Sequence, residues 1–421
     1  GTEYRRDYSE SQLTRGNGFP GPFFKVLSAT AIPVTAAGVQ NEWRRGSYFA
    51  NAKYNYNEKY FVNLVVRYDG HSRFGNETRW GFFPAASVAW RITEEDFFNV
   101  DAIDELKLRV GYGITGNSNI GNFASRGLYS AVGSYQGQTG LRPTQLANAN
   151  LSWEEASELN IGLDYELLEG RIFGAIDVYQ KDNNELLFAR PLPSDSGFGS
   201  ITENIGKTRN EGIEFEINTV NVSTSDFTWS SRFNVAFQDN EILELPDGTD
   251  INEDSVFGSL RIGQPIGLIQ VPRWAGVNPA DGRPMWYDGD GNITYNPVQE
   301  TDAIEYKDGV ANTVGGFGNT LNYKGITLDA FFQFSFGQWA FANTDYYFTL
   351  APDFLMQLSE TVLDRWKQPG DITYYPRAMI AGTDFPETSN FRTTLSTNSI
   401  DNASYIRLKN ISLSYNIPAR L

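Results

Sequence analysis

From Tyr48 to Tyr56 the chain alternates, with Tyr48, Ala50, Ala52, Tyr54 and Tyr56 on one face and Asn51, Lys53 and Asn55 on the other. Period two is the signature of a strand. After a short turn at 57–59, Tyr60, Val62, Leu64, Val66 and Tyr68 face away from Asn63, Arg67 and Asp69, so the two segments predict a hairpin. The pattern returns at 106–112, 159–166, 213–218 and 227–238. It is less regular at 326–336, where Phe331 shares the face of Asp329 and Gln333. Near the end, Ile406 and Leu408 are even whereas Ile411, Leu413 and Tyr415 are odd, and this change of parity predicts a bulge.

Alternation alone fits two architectures. In a soluble sandwich the apolar face packs a core; in an outer-membrane barrel it meets lipid and the polar face lines the lumen. The connectors separate the two, because membrane barrels place short turns at one end and long loops at the other. Short connectors fall near Asn57, Glu169, Ser225 and Lys324, with 93–104 of middle length on the same side; long ones span roughly 70–80, 116–154, 182–207, 239–314 and 337–404. Beginning with a partial strand at 2–8, about a dozen strands follow in up-and-down order. An open set of that size leaves two unpaired edges, which a lipid environment does not tolerate. With the last residues, Pro418 to Leu421, read as a turn, the expectation is part of a larger barrel.

Composition fits this picture. The chain holds 22 Tyr, 29 Phe, 9 Trp and 40 Gly in 421 residues, as expected for short strands and turns. No stretch approaches 18 apolar residues, so no transmembrane helix is expected. No apolar segment behind basic residues marks a signal peptide at the N-terminus. Zero Cys and a single His exclude thiol chemistry, disulfides and Cys/His zinc sites. A net charge of −17 without a basic run disfavours nucleic acid.

Local motifs have bland competitors. Gly111, Gly113 and Gly116 have dinucleotide-loop spacing, but no amphipathic helix follows them. Asp288, Asp290 and Asn292 have the first spacings of a calcium loop, yet Ile293 and Gln299 stand where its Gly and Glu belong; a solvated turn is the reading, a cation site the alternative. His71, between Gly70 and Ser72, reads as an exposed loop residue. Glu94, Glu95 and Asp96, and Glu154 with Glu155, leave a glycosidase open by inventory, although neighbours on a strand point to opposite faces. Trp80, Phe82 and Phe83 read as an interfacial aromatic girdle. Trp274, Trp286 and Tyr287, in the longest loop, are candidate substrate-binding residues because exposed rings stack on sugars or peptide side chains; the competing reading is that they pack the loop or meet a partner.

Several blocks together resemble the SusC family of TonB-dependent outer-membrane transporters. They are Arg67, Asp69, Gly70, Ser72–Gly75 and Arg79–Pro84 with Trp90 and Arg91; Leu106–Arg109 with Gly113 and Thr115–Asn117; Asn210 and Gly212–Glu214; Trp274–Pro279 with Gly282 and then Gly315–Phe317; and Tyr405–Asn410 through Pro418. His71 stands where that family has Ser. The resemblance implies an all-β, antiparallel up-and-down transmembrane barrel of about 22 strands. Residues 1–421 would supply about a dozen of them; the plug, the TonB-contacting segment, the early strands and the closing hairpin would lie outside this chain. It further implies no catalytic residue and no cofactor. Import of an oligosaccharide or oligopeptide would proceed at the bacterial outer membrane, with a SusD-like lipoprotein, the TonB complex and outer-membrane lipid as partners. Lys53, Arg67, Lys107, Arg109, Asp164, Glu214, Glu216 and Arg232 would line the lumen. A secretion-associated barrel and a soluble β-rich carbohydrate-active enzyme are the alternatives.

Overall fold

The computed structural model describes residues 1–136, 138–251, 259–303, 305–342, 359–378 and 395–417. Twelve antiparallel strands form one sheet in sequence order. They are β1 (Thr2–Asn17), β2 (Ile32–Tyr56), β3 (Tyr60–His71), β4 (Trp80–Arg91), β5 (Ile103–Asn117), β6 (Glu154–Leu167), β7 (Ile172–Asn184), β8 (Lys207–Ser223), β9 (Phe227–Glu244), β10 (Thr313–Tyr323), β11 (Ile326–Phe336) and β12 (Tyr405–Tyr415). The expected hairpin, turns and long loops all appear. The first strand is longer than expected and, with β2, forms a ribbon extending past the β2–β3 pairing. The pattern missed this extension because its residues are mostly polar on both faces. Residues 418–421 lie outside the described residues.

Tight connections cluster at one end. Lys324 (φ 48°) and Gly325 (φ 85°) make a two-residue turn between β10 and β11, a left-handed pair whose twist matches that of a hairpin. Near the other end of β12, the register shifts opposite Phe331 and Phe332, so that Leu408 and Asn410 are partnered while Lys409 is passed over. This bulge keeps both Leu408 and Ile411 on the outer face and accounts for the change of parity.

Register fixes which residues share a face. Val62, Val88, Val110, Ile161, Val178, Ile213 and Phe237 are cross-strand partners in an unbroken row from β3 to β9. From Val88 onward these side chains are 40–53% exposed. Each apolar side chain left in water forgoes about 1.5–3 kcal/mol of burial, so a continuous exposed row belongs against lipid. The row is bounded by rings. Trp80 stacks on Tyr68 and Tyr48 at centroid distances of 4.9 and 6.1 Å, while Tyr54, Tyr56 and Tyr60 stand near the turn end. Trp80 fits there because its cross-strand partner is Gly70, where a Cβ would sit 2.6 Å from the indole.

Buried apolar residues concentrate in the long loops. Phe74, Leu151, Leu268, Val271, Trp286, Val362 and Trp366 are all buried and all lie outside the twelve strands. The sheet is a wall, apolar outside and polar inside, and the loops carry the packed core above it. Among the described residues no helix is long and apolar enough to cross a membrane, and the strands cross instead.

Candidate functional site

The inner face of the wall carries charge in matched sets. Asp164 on β6 pairs with Lys107 across from it on β5, and Arg109 lies two residues further along β5. Arg109 Nε donates to Asp164 Oδ1 at 2.9 Å and its Nη2 to Asp177 Oδ2 on β7 at 3.1 Å, while Lys107 Nζ lies 3.6 Å from Asp164. Arg109 reaches over β6 because Gly162 is beneath it, where a Cβ would lie 2.5 Å from Nη2. A second set joins β9 to β12: Arg232 bonds Asp329 at 3.0 Å, Thr320 donates to the same carboxylate at 2.8 Å, and Asn410 approaches at 3.5 Å. Register places Lys53, Glu214 and Glu216 on this face, and Arg67 pairs with Asp69 at 3.0 Å. These charges are tolerated because they line a wet lumen, where Arg67, Lys107, Arg109 and Arg232 are in addition ion-paired.

Above the wall, the loops form two packed groups. In the first, Phe74, Leu151 and Trp153 bury Phe83 beneath them. Trp153 Nε1 donates to the Arg79 carbonyl at 2.9 Å, and Asn204 clamps Ser152 by accepting its N–H at 2.7 Å and donating to its carbonyl at 3.0 Å. Phe83 is thus no part of an interfacial girdle. It points inward, one residue from the outward Phe82, and fills the space left by Gly81 and Gly116.

His71 belongs to this group. Far from an exposed loop residue, it is 2% exposed, stacked on Trp43 at 5.1 Å and met edge-on by Phe74 and Trp153. Its Nδ1 accepts the Arg73 backbone N–H at 3.3 Å. Burial, reinforced by the charges of Arg73 and Arg45, lowers its pKa to about 4. Its covering rings come from residues 43 and 153, which local sequence around Gly70 and Ser72 does not reveal.

The second group joins the loops after β9 and β11. Trp286 is fully buried, meets Trp274 edge-on at 5.5 Å and donates from Nε1 to Ser396 Oγ at 3.1 Å. Thr397 accepts the Trp274 backbone N–H at 3.1 Å, and Trp366 donates to the Pro279 carbonyl at 3.0 Å. Of the three candidate aromatic residues, Trp286 is enclosed, whereas Trp274 and Tyr287 remain partly exposed, the latter beneath the Arg273 guanidinium at 4.1 Å.

Asp288, Asp290 and Asn292 form a turn. Asp288 Oδ1 accepts the backbone N–H of Asp290 at 3.0 Å and of Asn292 at 2.7 Å, which leaves the carboxylate committed to the chain itself. Among the described residues no group of three or more His, Cys, Asp or Glu side chains is arranged to hold a metal. Glu95 sits at the turn end, accepting from Trp90 Nε1 at 3.0 Å and from the Tyr60 hydroxyl, and Glu154 and Glu155 begin β6 on opposite faces. Gly111, Gly113 and Gly116 lie within β5, with no helix after them. Asp177, which completes the Arg109 fork, was not singled out by sequence because its partner arrives from two strands away.

Known proteins share this arrangement. Residues 1–421 match the family described as TonB dependent receptor-like, beta-barrel. TonB-dependent receptor P39 of Formosa agariphila is 31% identical over 416 residues, covering 88% of this chain and 39% of its own length. TonB-dependent receptor SusC of Bacteroides thetaiotaomicron is 33% identical over 327 residues, covering 72% of this chain and 31% of its own. The chain thus spans about two fifths of the length of the P39 relative. The RagAB peptide transporter structure superposes with a TM-score of 0.85 at 26% identity, over 98% of this chain and 46% of that one. The chain belongs to the TonB-dependent receptor-like β-barrel family of the bacterial outer membrane, and its twelve strands are barrel wall.

Proposed function

We propose that this chain is the greater part of the barrel of a SusC-like transporter, importing an oligosaccharide or oligopeptide across the outer membrane. The observation that carries the reading is the inverted polarity of the sheet, apolar toward lipid and ion-paired toward the lumen, beneath two packed loop groups. Import would draw on the TonB complex through a plug domain outside these 421 residues. A SusD-like lipoprotein would cover the loops, and ligand would lie between that cover and the plug. Trp274 and Tyr287 are the members of the aromatic candidate set with ring surface left for a ligand or the cover protein. The likeness to a peptide transporter supports an oligopeptide; the likeness to SusC supports the lipoprotein partner.

The test is growth of a strain deleted for the full-length protein on defined peptide pools and on individual glycans as sole source. Loss of growth on one class, restored by the gene and not by a version unable to engage TonB, supports import and names the substrate class. Unimpaired growth on both classes, with normal surface assembly lost instead, contradicts it.

A further inference from the structure

The loop after β9 contains a small three-stranded sheet, Trp274–Val277, Pro284–Tyr287 and Ile293–Thr294, whose two faces are unlike. Trp274 opposes Trp286, and Trp286 opposes Thr294. That row, together with Pro284, is turned toward the packed loop group, where Trp286 and Pro284 are fully buried. Alternation places Arg273, Met285, Tyr287, Ile293 and Tyr295 on the other face, and none of the five is buried. The ring contacts agree, since the Arg273 guanidinium lies over Tyr287 at 4.1 Å and that of Arg283 over Tyr295 at 3.8 Å.

The two arginine–tyrosine stacks differ in one respect. Arg283 is held by Asp281, with its Nε 2.8 Å from the carboxylate. Arg273 has no such partner: among the described residues its side chain is in no ion pair and no hydrogen bond, and its Nε is buried. Asp288, which follows Tyr287, is committed to its own turn. A guanidinium held over a ring presents its remaining N–H groups edge-on, the geometry that takes a carboxylate in a two-pronged bond. Around it, Met285 and the exposed Ile293 offer apolar surface and no hydrogen-bonding side chain. A sugar seated there would leave its hydroxyls unpaired, whereas a carboxylate beside an apolar side chain matches both parts of the surface.

We propose that this face captures an oligopeptide by a carboxylate, which Arg273 holds while an adjoining apolar side chain of the ligand lies against Met285, Tyr287 and Ile293. The inference deepens the import reading and rests on it. It assigns peptide over oligosaccharide, and it makes a negative charge on the substrate a condition of capture.

The test uses the full-length protein isolated from outer membranes in mild detergent with the lipoprotein that accompanies it. It is incubated with equal amounts of three random synthetic peptide pools: one free of Asp and Glu and ending in an amide, one identical but ending in a free carboxylate, and one amidated but containing Glu. Retained peptides are counted by mass spectrometry. The expected result is about tenfold enrichment of a carboxylate-bearing pool over the neutral one, the second pool marking a chain end and the third a side chain. Arg273→Gln removes the enrichment, and Arg273→Lys, which keeps the charge without the planar fork, retains part of it; the heat-dependent gel shift of the folded barrel is unchanged in both. Equal retention of all three pools by the wild-type protein overturns the proposal, as does an enrichment that survives Arg273→Gln. Loss of the accompanying lipoprotein in Arg273→Gln with the enrichment intact also overturns it, and gives the face to the cover protein. Retention of an oligosaccharide carrying uronic acid in place of every peptide pool overturns the assignment to peptides, whereas retention of neither peptide nor oligosaccharide overturns the import reading itself.

Discussion

Two residues show how this wall is built from side chains that sequence leaves ambiguous. Protonating His71 requires a charge among Trp43, Phe74 and Trp153, so its folded pKa of about 4 lies below the ordinary value near 6.5. The unfolded segment therefore binds more protons between those values, and stability contributed by this packing is complete above about pH 6.5 and lost as pH falls through about 4. The protection factors of residues 71–75, which correct exchange for its intrinsic slowing between pH 7 and pH 4, should fall over that range in the wild type and stay level in His71→Phe, which keeps the stack without the titration. At Gly162 the expectation is steric. Gly162→Ala puts a methyl where the Arg109 guanidinium and the Asp177 carboxylate lie, and because these are the movable ends of part-exposed side chains the fork is displaced at a cost of about 1 kcal/mol or less, read as a small fall in the denaturant midpoint of the refolded barrel.

At the scale of elements, the loops after β9 and β11 behave as one packed unit because neither has a core alone. Ile269 and Val271 come from the first, Ile400 and Leu395 from the second, and the Trp286–Ser396 bond ties them together. Trp286→Ala removes the most enclosed ring of the pair and should cost about 3–5 kcal/mol, confined to the loops. Hydrogen exchange should rise together in 268–287 and 395–400 while β8 and β9 stay protected. Exchange rising in the first loop alone would show that the two loops are independent.

Across the whole molecule, period two made the strands legible and the spacing of turns made their order legible. What the pattern could not decide was which face meets what, since a sandwich and a barrel alternate alike. The structure decides it through accumulation: Val88, Val110, Ile161, Val178, Ile213 and Phe237 are all exposed in one row, and the buried core sits in the loops. The lumen residues Lys107, Arg109 and Asp164 followed from alternation, but Asp177 and the Trp43 and Trp153 rings around His71 did not, because their partners lie tens of residues away. Trp286 shows the same limit, for the Ser396 that satisfies it is 110 residues distant.

If the wall is a membrane barrel, Ile176, 38% exposed and two residues from Val178 on β7, faces lipid, while Asp177 between them faces the water of the lumen. These 421 residues contain no cysteine, so single cysteines at 161, 176 and 213, and at 177 and 214, report one position at a time without background from this chain. Spin labels at these positions in proteoliposomes, probed with oxygen and with a water-soluble nickel chelate, give the most direct reading. Oxygen-dominated relaxation is expected at 161, 176 and 213 and nickel-dominated relaxation at 177 and 214. Nickel access at all five positions, or the opposite alternation, would contradict it.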